Sequence, residues 1–278
     1  MRCLFCKKDS TNAKSVEHII PESLGNKTLI LPLGYICDTC NNYFARKVER
    51  PFMEIPEIQE MRFQLEVPNK KNRFPKINGV LDNGSPIMMS KKQYNNEIIH
   101  ILEIAPEEME KFFVDNSTQI IMPAFTNESV LKNDKIVSRF IAKIALEALA
   151  LRLKTVEKSL DDLIDDINYD AIRKHARLGY IENWPCSVRR IYSYDKNWGT
   201  DNDPEQKIYE CDFLLIPFDK EIDINNIKEP ILAELYFVVV IWGMEFAMNM
   251  AGPEIEGYLK WLEEHNNISP LYYGNNNF

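Results

Sequence analysis

Four of the six cysteines fall within the first 40 residues, as Cys3-x-x-Cys6 and Cys37-x-x-Cys40. A C-x-x-C turn sets two thiolates on one side of a tight loop, and two such turns supply the tetrahedral sulfur site that Zn2+ takes in structural centres. Two disulfides are the competing use of four thiols, and they fit poorly in an intracellular chain. A module of about 50 residues barely buries enough surface to fold alone. A structural zinc, with on the order of 10–16 kcal/mol of apparent binding free energy, decides whether it does. Cys186 and Cys211 have no such partner and read as small buried hydrophobes.

Between the two pairs lie Glu17-His18-Ile19-Ile20-Pro21 and Leu24-Gly25-Asn26, and directly after the second pair come Asn41 and Asn42. Taken in this order, the segment resembles the HNH endonucleases. Their pattern is an acidic residue before a His, then I-x-P, a Gly-containing loop and a C-x-x-C knuckle followed by His or Asn. The resemblance covers about residues 1–55. It implies a ββα-metal fold, endonuclease activity on DNA with RNA as the open alternative, His18 as general base, and Asn41 as an amide-oxygen ligand of a catalytic metal. The residue types agree with that chemistry. Phosphodiester hydrolysis needs a base to activate water and a cation to offset the charge that develops. His18 is the only histidine of this segment, and histidine is the residue type suited to be a base near neutral pH. Glu17 offers a hard oxygen suited to Mg2+ or Mn2+. On a strand Glu17 and His18 point to opposite faces, so one shared site calls for a bulge or irregular backbone there, or a bend at the second strand.

Two departures from the family pattern stand out. The family most often has Asp where Glu17 stands. Its middle Asn usually lies five residues before the second knuckle, where this chain has Pro32, which carries no side-chain amide. Asn26 and Asn42 are the candidates to replace it. Asn41 has a second use, as the N-cap of the helix that follows. Arg46, Lys47 and Arg50 recur at helical spacing. They form either a solvated face or a set of phosphate contacts that positions a strand without reading its sequence.

Charge supports a local role for this head. The net charge is −9, yet residues 1–50 carry 8 Lys+Arg against 5 Asp+Glu, a balance of +3, which leaves 25 against 37, or −12, for the rest. A small basic head on an acidic body admits a polyanion at the head only. The composition, 45% hydrophobic and 27% charged, is that of a globular protein. The longest apolar run, Leu235 to Met244, is too short to span a bilayer, which needs about 20 residues. No secretory pattern opens the chain. The expectation is a cytoplasmic protein with no membrane partner.

After Pro51 short apolar runs alternate with turn signals. Met61–Val67, Pro75–Leu81, Pro86–Met89, Ile98–Ile104 and Thr118–Met122 read as strands, with Asp82-Asn83-Gly84 as a hairpin turn. Residues Asn133–Leu153 read as a long, nearly all-round apolar helix capped by Asn133 or Asp134. A second helical stretch covers Thr155–Leu178, strands return at Tyr192–Tyr194, Ile208–Ile216 and Ile231–Met250, and Glu254–Glu264 is a short helix. Asn275–Asn277 reads as a loose polar tail. Three further clusters have weaker claims. Asp161-Asp162-x-x-Asp165-Asp166 reads mainly as a solvated helix face. Asp201-Asn202-Asp203 starts like a calcium loop but lacks its later Gly and Glu. For Arg173-Lys174-His175-Ala176-Arg177 with Arg189-Arg190, phosphate or ligand binding is the minority reading.

The expected architecture is α+β: a zinc-stabilised ββα-metal head, residues 1–55, and a larger α+β domain, residues 56–278, built around the long apolar helix. The expected function is a metal-dependent endonuclease in restriction, phage defence or a mobile element, whose body regulates it, selects its target or forms a homodimer through residues 51–278, where apolar strands such as Leu235–Trp242 are either part of that surface or the middle of a sheet. A regulatory protein or ligand at the body belongs to the same reading. The alternative is a catalytically decayed, zinc-stabilised module that binds nucleic acid or protein.

Overall fold

The structure is a computed structural model and describes residues 1–95, 97–106, 109, 119–122, 131–132, 134–156, 159–180, 184–192, 209–218 and 232–272. Asp201-Asn202-Asp203, Asn275–Asn277 and the candidate cap Asn133 lie outside the described residues. In chain order the regular elements are α1 (Asp38–Phe44), a π-helical segment (Ala45–Glu49), α2 (Arg50–Met53), α3 (Pro56–Gln64), β1 (Ile77–Leu81), β2 (Pro86–Tyr94), β3 (Glu97–Glu103) and β4 (Ile120–Ile121). There follow α4 (Lys135–Thr155), α5 (Leu160–Asp165), α6 (Asp170–Leu178), β5 (Ser187–Arg190), β6 (Tyr209–Pro217), β7 (Ala233–Ile241), β8 (Met244–Asn249) and α7 (Glu256–Glu264). The fold class is mixed α+β.

The chain divides into two compact units. One comprises Met1–Ile20, Lys27–Phe52 and Val130–Phe278, the other Pro21–Asn26 and Met53–Ser129. These limits cut across the 1–55 and 56–278 partition read from the sequence, because most of the head packs with the C-terminal part of the chain.

In the first unit, α4 is the 21-residue helix expected near Asn133–Leu153. Asp134 caps it, accepting from the N–H groups of Ile136 at 2.8 Å and Val137 at 3.1 Å. It is not the all-round apolar spine of the sequence reading. Its buried stretch contains Ser138, Lys143 and Glu147 among the apolar residues. Phe140 stacks on Phe52 with ring centroids 3.8 Å apart. The helical stretch expected over Thr155–Leu178 is broken into α5, a 3-10 turn at Ile167–Tyr169, and α6. Ser159 and Asp166 cap the starts, and Gly179 ends α6 in the left-handed region.

The sheet of this unit is antiparallel, in the order β5-β8-β7-β6. The run Ile231–Met250, read as one strand region, is a hairpin. Trp242 and Gly243 take φ of +50° and +79° and turn β7 back on β8, as a two-residue turn of positive φ does. Tyr236 to Trp242 are buried in β7, which lies between β8 and β6, so this strand is the middle of a sheet. Tyr258 and Leu262 of α7 cover Tyr236, Val238 and Ala247. Of the strand expected at Tyr192–Tyr194 all but Tyr192 lies outside the described residues; shortly before it, β5 pairs with β8.

The second unit is a four-stranded antiparallel sheet, β3-β2-β1-β4, with α3 beside β1. Its core joins Phe63, Ile77, Leu81, Ile87 and Met89, with Leu102 and Ile104 against them. Here the strand expected at Met61–Val67 is overturned. Pro56 at the first helical position and Glu57 in the first turn start a helix that runs to Gln64. The Asp82-Asn83-Gly84 turn is as expected, with Gly84 at φ +83°.

Candidate functional site

Each cysteine turn is shaped by its own backbone. The first closes through Lys7 N–H to Cys3 O at 2.9 Å, with Lys7 in the left-handed region at φ +59°. The second opens α1, where Cys37 is the N-cap and its Sγ accepts the N–H of Cys40 at 3.4 Å. A further N–H, that of Cys37, points at Cys3 Sγ at 3.4 Å. The four sulfur atoms lie within 4.8 Å of one another. Cys6 Sγ and Cys37 Sγ are 3.7 Å apart. That is far longer than the ~2.05 Å of a disulfide, and close to the ~3.8 Å separating two thiolates that each lie ~2.3 Å from a tetrahedral zinc. The Cys40 thiol donates to Cys3 and, with backbone N–H groups, holds Cys3 down at about 4. The same bond to Cys3, then burial and the neighbouring sulfurs, push Cys40 up. Four thiolates so close conflict unless a dication sits among them, and this donor set fits structural Zn2+.

The head's hairpin is short. His18 pairs with Ile30, Ile19 N–H donates to Leu29 O at 3.0 Å, and Leu31 N–H donates to Glu17 O at 2.9 Å. The pairing is a single isolated bridge at His18, and the backbone bends directly after it at Ile19 and Ile20. Glu17 is buried and His18 half-buried, as alternation on a strand requires. The start of α1 is fastened to the strand that leads into them. Asp38 accepts the N–H groups of Lys14 at 3.0 Å and Ser15 at 2.8 Å, and Asn41 Nδ2 donates to Val16 O at 3.4 Å. Asn41 is therefore no helix cap, since Cys37 fills that role. Arg46, Lys47 and Arg50 are exposed along the π-helical segment and its end. Such segments turn residues out of the α-helical register, often where a site is built.

Glu49 of the same segment faces inward, into a cluster that sequence reasoning missed. Lys143 Nζ lies 2.5 Å from Glu17 Oε1, 2.7 Å from Glu49 Oε1 and 3.1 Å from Glu147 Oε2. Lys143 and Glu147 are fully buried. Burial disfavours the ammonium, but Glu147, Glu17 and Glu49 outweigh it and keep Lys143 protonated. Burial also raises the Glu147 carboxyl well above the ordinary range, against the pull of Lys143. Removing one partner of such a buried set typically costs about 3–5 kcal/mol. The available signal was a Lys and a Glu at i and i+4 inside an otherwise apolar helix pattern.

Residues 3–55 match the HNH endonuclease family. The match takes in both cysteine pairs, Glu17, His18 and Asn41, and points to nuclease activity. No curated protein and no solved structure matches the chain. Beside the HNH segment, Ile19 and Leu29 border a cavity of about 200 Å3 that Leu151, Arg152 and Phe213 also line.

The other charged clusters are structural. Arg2, just before the matched segment, binds Asp161 at 2.9 Å and Asp165 in a two-pronged contact at 2.8 and 2.7 Å, and Lys7 reaches Asp170 at 2.7 Å. The second basic cluster is taken apart by the fold. His175 is buried, stacks on Trp184 and bonds Ser138 Oγ at 2.9 Å. Arg173 is buried against Asp170 and the carbonyl of Leu163, and Arg189 pairs with buried Glu245. Among the described residues no helix is long and apolar enough to cross a membrane.

Proposed function

We propose that this protein is a metal-dependent endonuclease that hydrolyses phosphodiester bonds of DNA. The carrying observation is that the HNH match includes a hairpin with Glu17 and His18 to whose strand Asn41 is hydrogen-bonded through Val16. In this reading an imidazole nitrogen of His18 takes the proton of the attacking water. Glu17 and Asn41 offer the hard oxygens that suit Mg2+ or Mn2+. Such an ion, when bound, offsets charge on the phosphorane and on the leaving 3′ oxygen. Arg46, Lys47 and Arg50 hold the backbone of the strand being cut. The zinc of the four cysteines is structural. Cleavage of both strands calls for two heads of opposite polarity, so a homodimer belongs to the reading, with sedimentation as its check. Cytoplasmic restriction, phage defence or element mobility is the biological setting we attach to it.

Nicking of supercoiled plasmid in Mg2+ tests the proposal, with RNA run beside it. His18→Ala should lower the rate by about 10²–10⁴-fold, the usual worth of a positioned base. Equal rates for parent and variant refute His18 as base. A brief EDTA treatment should stop cleavage while the thiolate-held zinc stays. The second reading, a decayed binding module, draws on Pro32 at the middle Asn position and on Glu17 being engaged by Lys143. It expects retention on nucleic acid with no nicking by the parent.

A further inference from the structure

Lys143 lies 126 residues from Glu17 in sequence and far outside the HNH match, yet its ammonium is in the closest contact that the Glu17 carboxylate makes among the bonds described above. The same ammonium holds Glu49, which stands on the π-helical segment between the exposed Lys47 and Arg50. One cation thus ties together the two elements a ββα site must hold in register, the strand of Glu17 and His18 and the helix of Asn41. Glu147, one turn along α4, adds a third carboxylate. Stability alone is a poor reason for this set. Buried ion pairs are often no more stabilising than well-packed apolar residues of the same volume, and the rest of the buried stretch of α4 is largely apolar. A carboxylate held through one oxygen can serve a metal through the other. Partners that orient a ligating carboxylate are commonly worth 10–100-fold in metal affinity or activity.

We propose that Lys143 is the positioning residue for Glu17, setting the geometry in which that carboxylate meets the catalytic metal. This rests on the metal role given to Glu17 in the proposed function. The charge of Lys143 works against a bound cation, so deleting it would by electrostatics alone tighten metal binding. A weaker metal site after its deletion, with the fold retained, therefore runs against the direct electrostatic effect on the ion, and measurement at pH ~7 and pH ~9 separates lost geometry, which persists, from protonation of Glu17, which high pH reverses.

The test is Mn2+ binding to the full-length, zinc-loaded protein by electron paramagnetic resonance, together with nicking rates. It compares the parent, Lys143→Met, Lys143→Arg, Glu17→Gln and the double variant Glu17→Gln/Lys143→Met. Lys143→Met should weaken Mn2+ by roughly 10–100-fold, add little in the Glu17→Gln background, and be partly rescued by Arg. Zinc content and thermal melting report folding. If Lys143→Met does not fold, Lys143→Met/Glu147→Gln, which removes the ammonium together with the ionisable carboxyl that faces it on α4, is measured in its place. A Glu17-dependent Mn2+ site that Lys143→Met leaves unchanged or tightens overturns this inference alone, as does an equal loss with and without Glu17. Equal Mn2+ binding by parent and Glu17→Gln refutes the metal role of Glu17 in the proposed function and takes this inference with it.

Discussion

Replacing Cys40 by Ser removes one of four thiolates from the sulfur cluster, and the structure limits how far the damage should spread. The two turns, Cys3–Cys6 and Cys37–Cys40, comprise eight residues. Ordering a backbone costs about 1–2 kcal/mol per residue, so the turns need roughly 8–16 kcal/mol from somewhere. A structural zinc supplies on the order of 10–16 kcal/mol. The two nearly cancel with zinc bound, so without zinc the ordering cost is left unmet and the knuckle should be unfolded. The rest of the unit has other support. Phe44, Val48 and Phe52 are buried, and Phe52 stacks on Phe140 of α4 without any help from sulfur. Hydrogen exchange by mass spectrometry on the full chain, with zinc measured in the same samples, gives the readout. Bound zinc should fall from about one equivalent to less than about half, since the fourth tetrahedral ligand is gone. Amides of residues 1–10 and 35–42 should exchange at nearly unfolded rates, while α4 and β7 keep their protection. Loss of protection in α4 together with the knuckle would refute the reasoning, because zinc would then organise the whole unit rather than two turns. Undiminished zinc in the variant would refute the four-thiolate site itself.

Gly243→Ala should destabilise the protein by roughly 1–3 kcal/mol through backbone strain alone, because Gly243 is at φ +79° and an added Cβ would meet Tyr192 O at 2.3 Å; an unchanged melting temperature would mean the β7–β8 turn is not as described. Asp134→Ala removes the cap that two N–H groups of α4 share and should cost about 1 kcal/mol, seen as a lower urea midpoint at constant slope. Tyr258 donates to Glu245 at 2.7 Å, and burial, then the Glu245 charge, raise its phenol far above the ordinary 10.0. A raised folded value stabilises below the unfolded one and is lost as pH climbs through the folded one. The stability gap between parent and Tyr258→Phe should therefore be full at pH ~8 and shrink by pH ~11; a gap that stays constant between those two pH values contradicts the buried, neutral phenol.

What the sequence determined by itself was local. The C-x-x-C spacing places two sulfurs on one turn whatever surrounds it, and the order Glu17-His18, Cys37-x-x-Cys40, Asn41 is a pattern along the chain that the family match over residues 3–55 takes in. Asp134 as a cap and Asp82-Asn83-Gly84 as a turn follow from bonds spanning two to four residues. Local signals also misled where two of them competed. Met61–Val67 alternates like a strand, but Pro56 and Glu57 had already begun a helix. The tertiary structure alone decided the rest. It paired Lys143 with Glu17 and Glu49, brought Arg2 to Asp161 and Asp165, ordered the sheet β5-β8-β7-β6, and put Tyr236–Trp242 in the middle of that sheet. These contacts join residues distant in sequence, and each becomes favourable only after burial has removed water from both partners. Nothing in the neighbourhood of Lys143 on the chain says which carboxylates will meet it, because that depends on how helix and hairpin pack, and packing is set by apolar area from the whole unit.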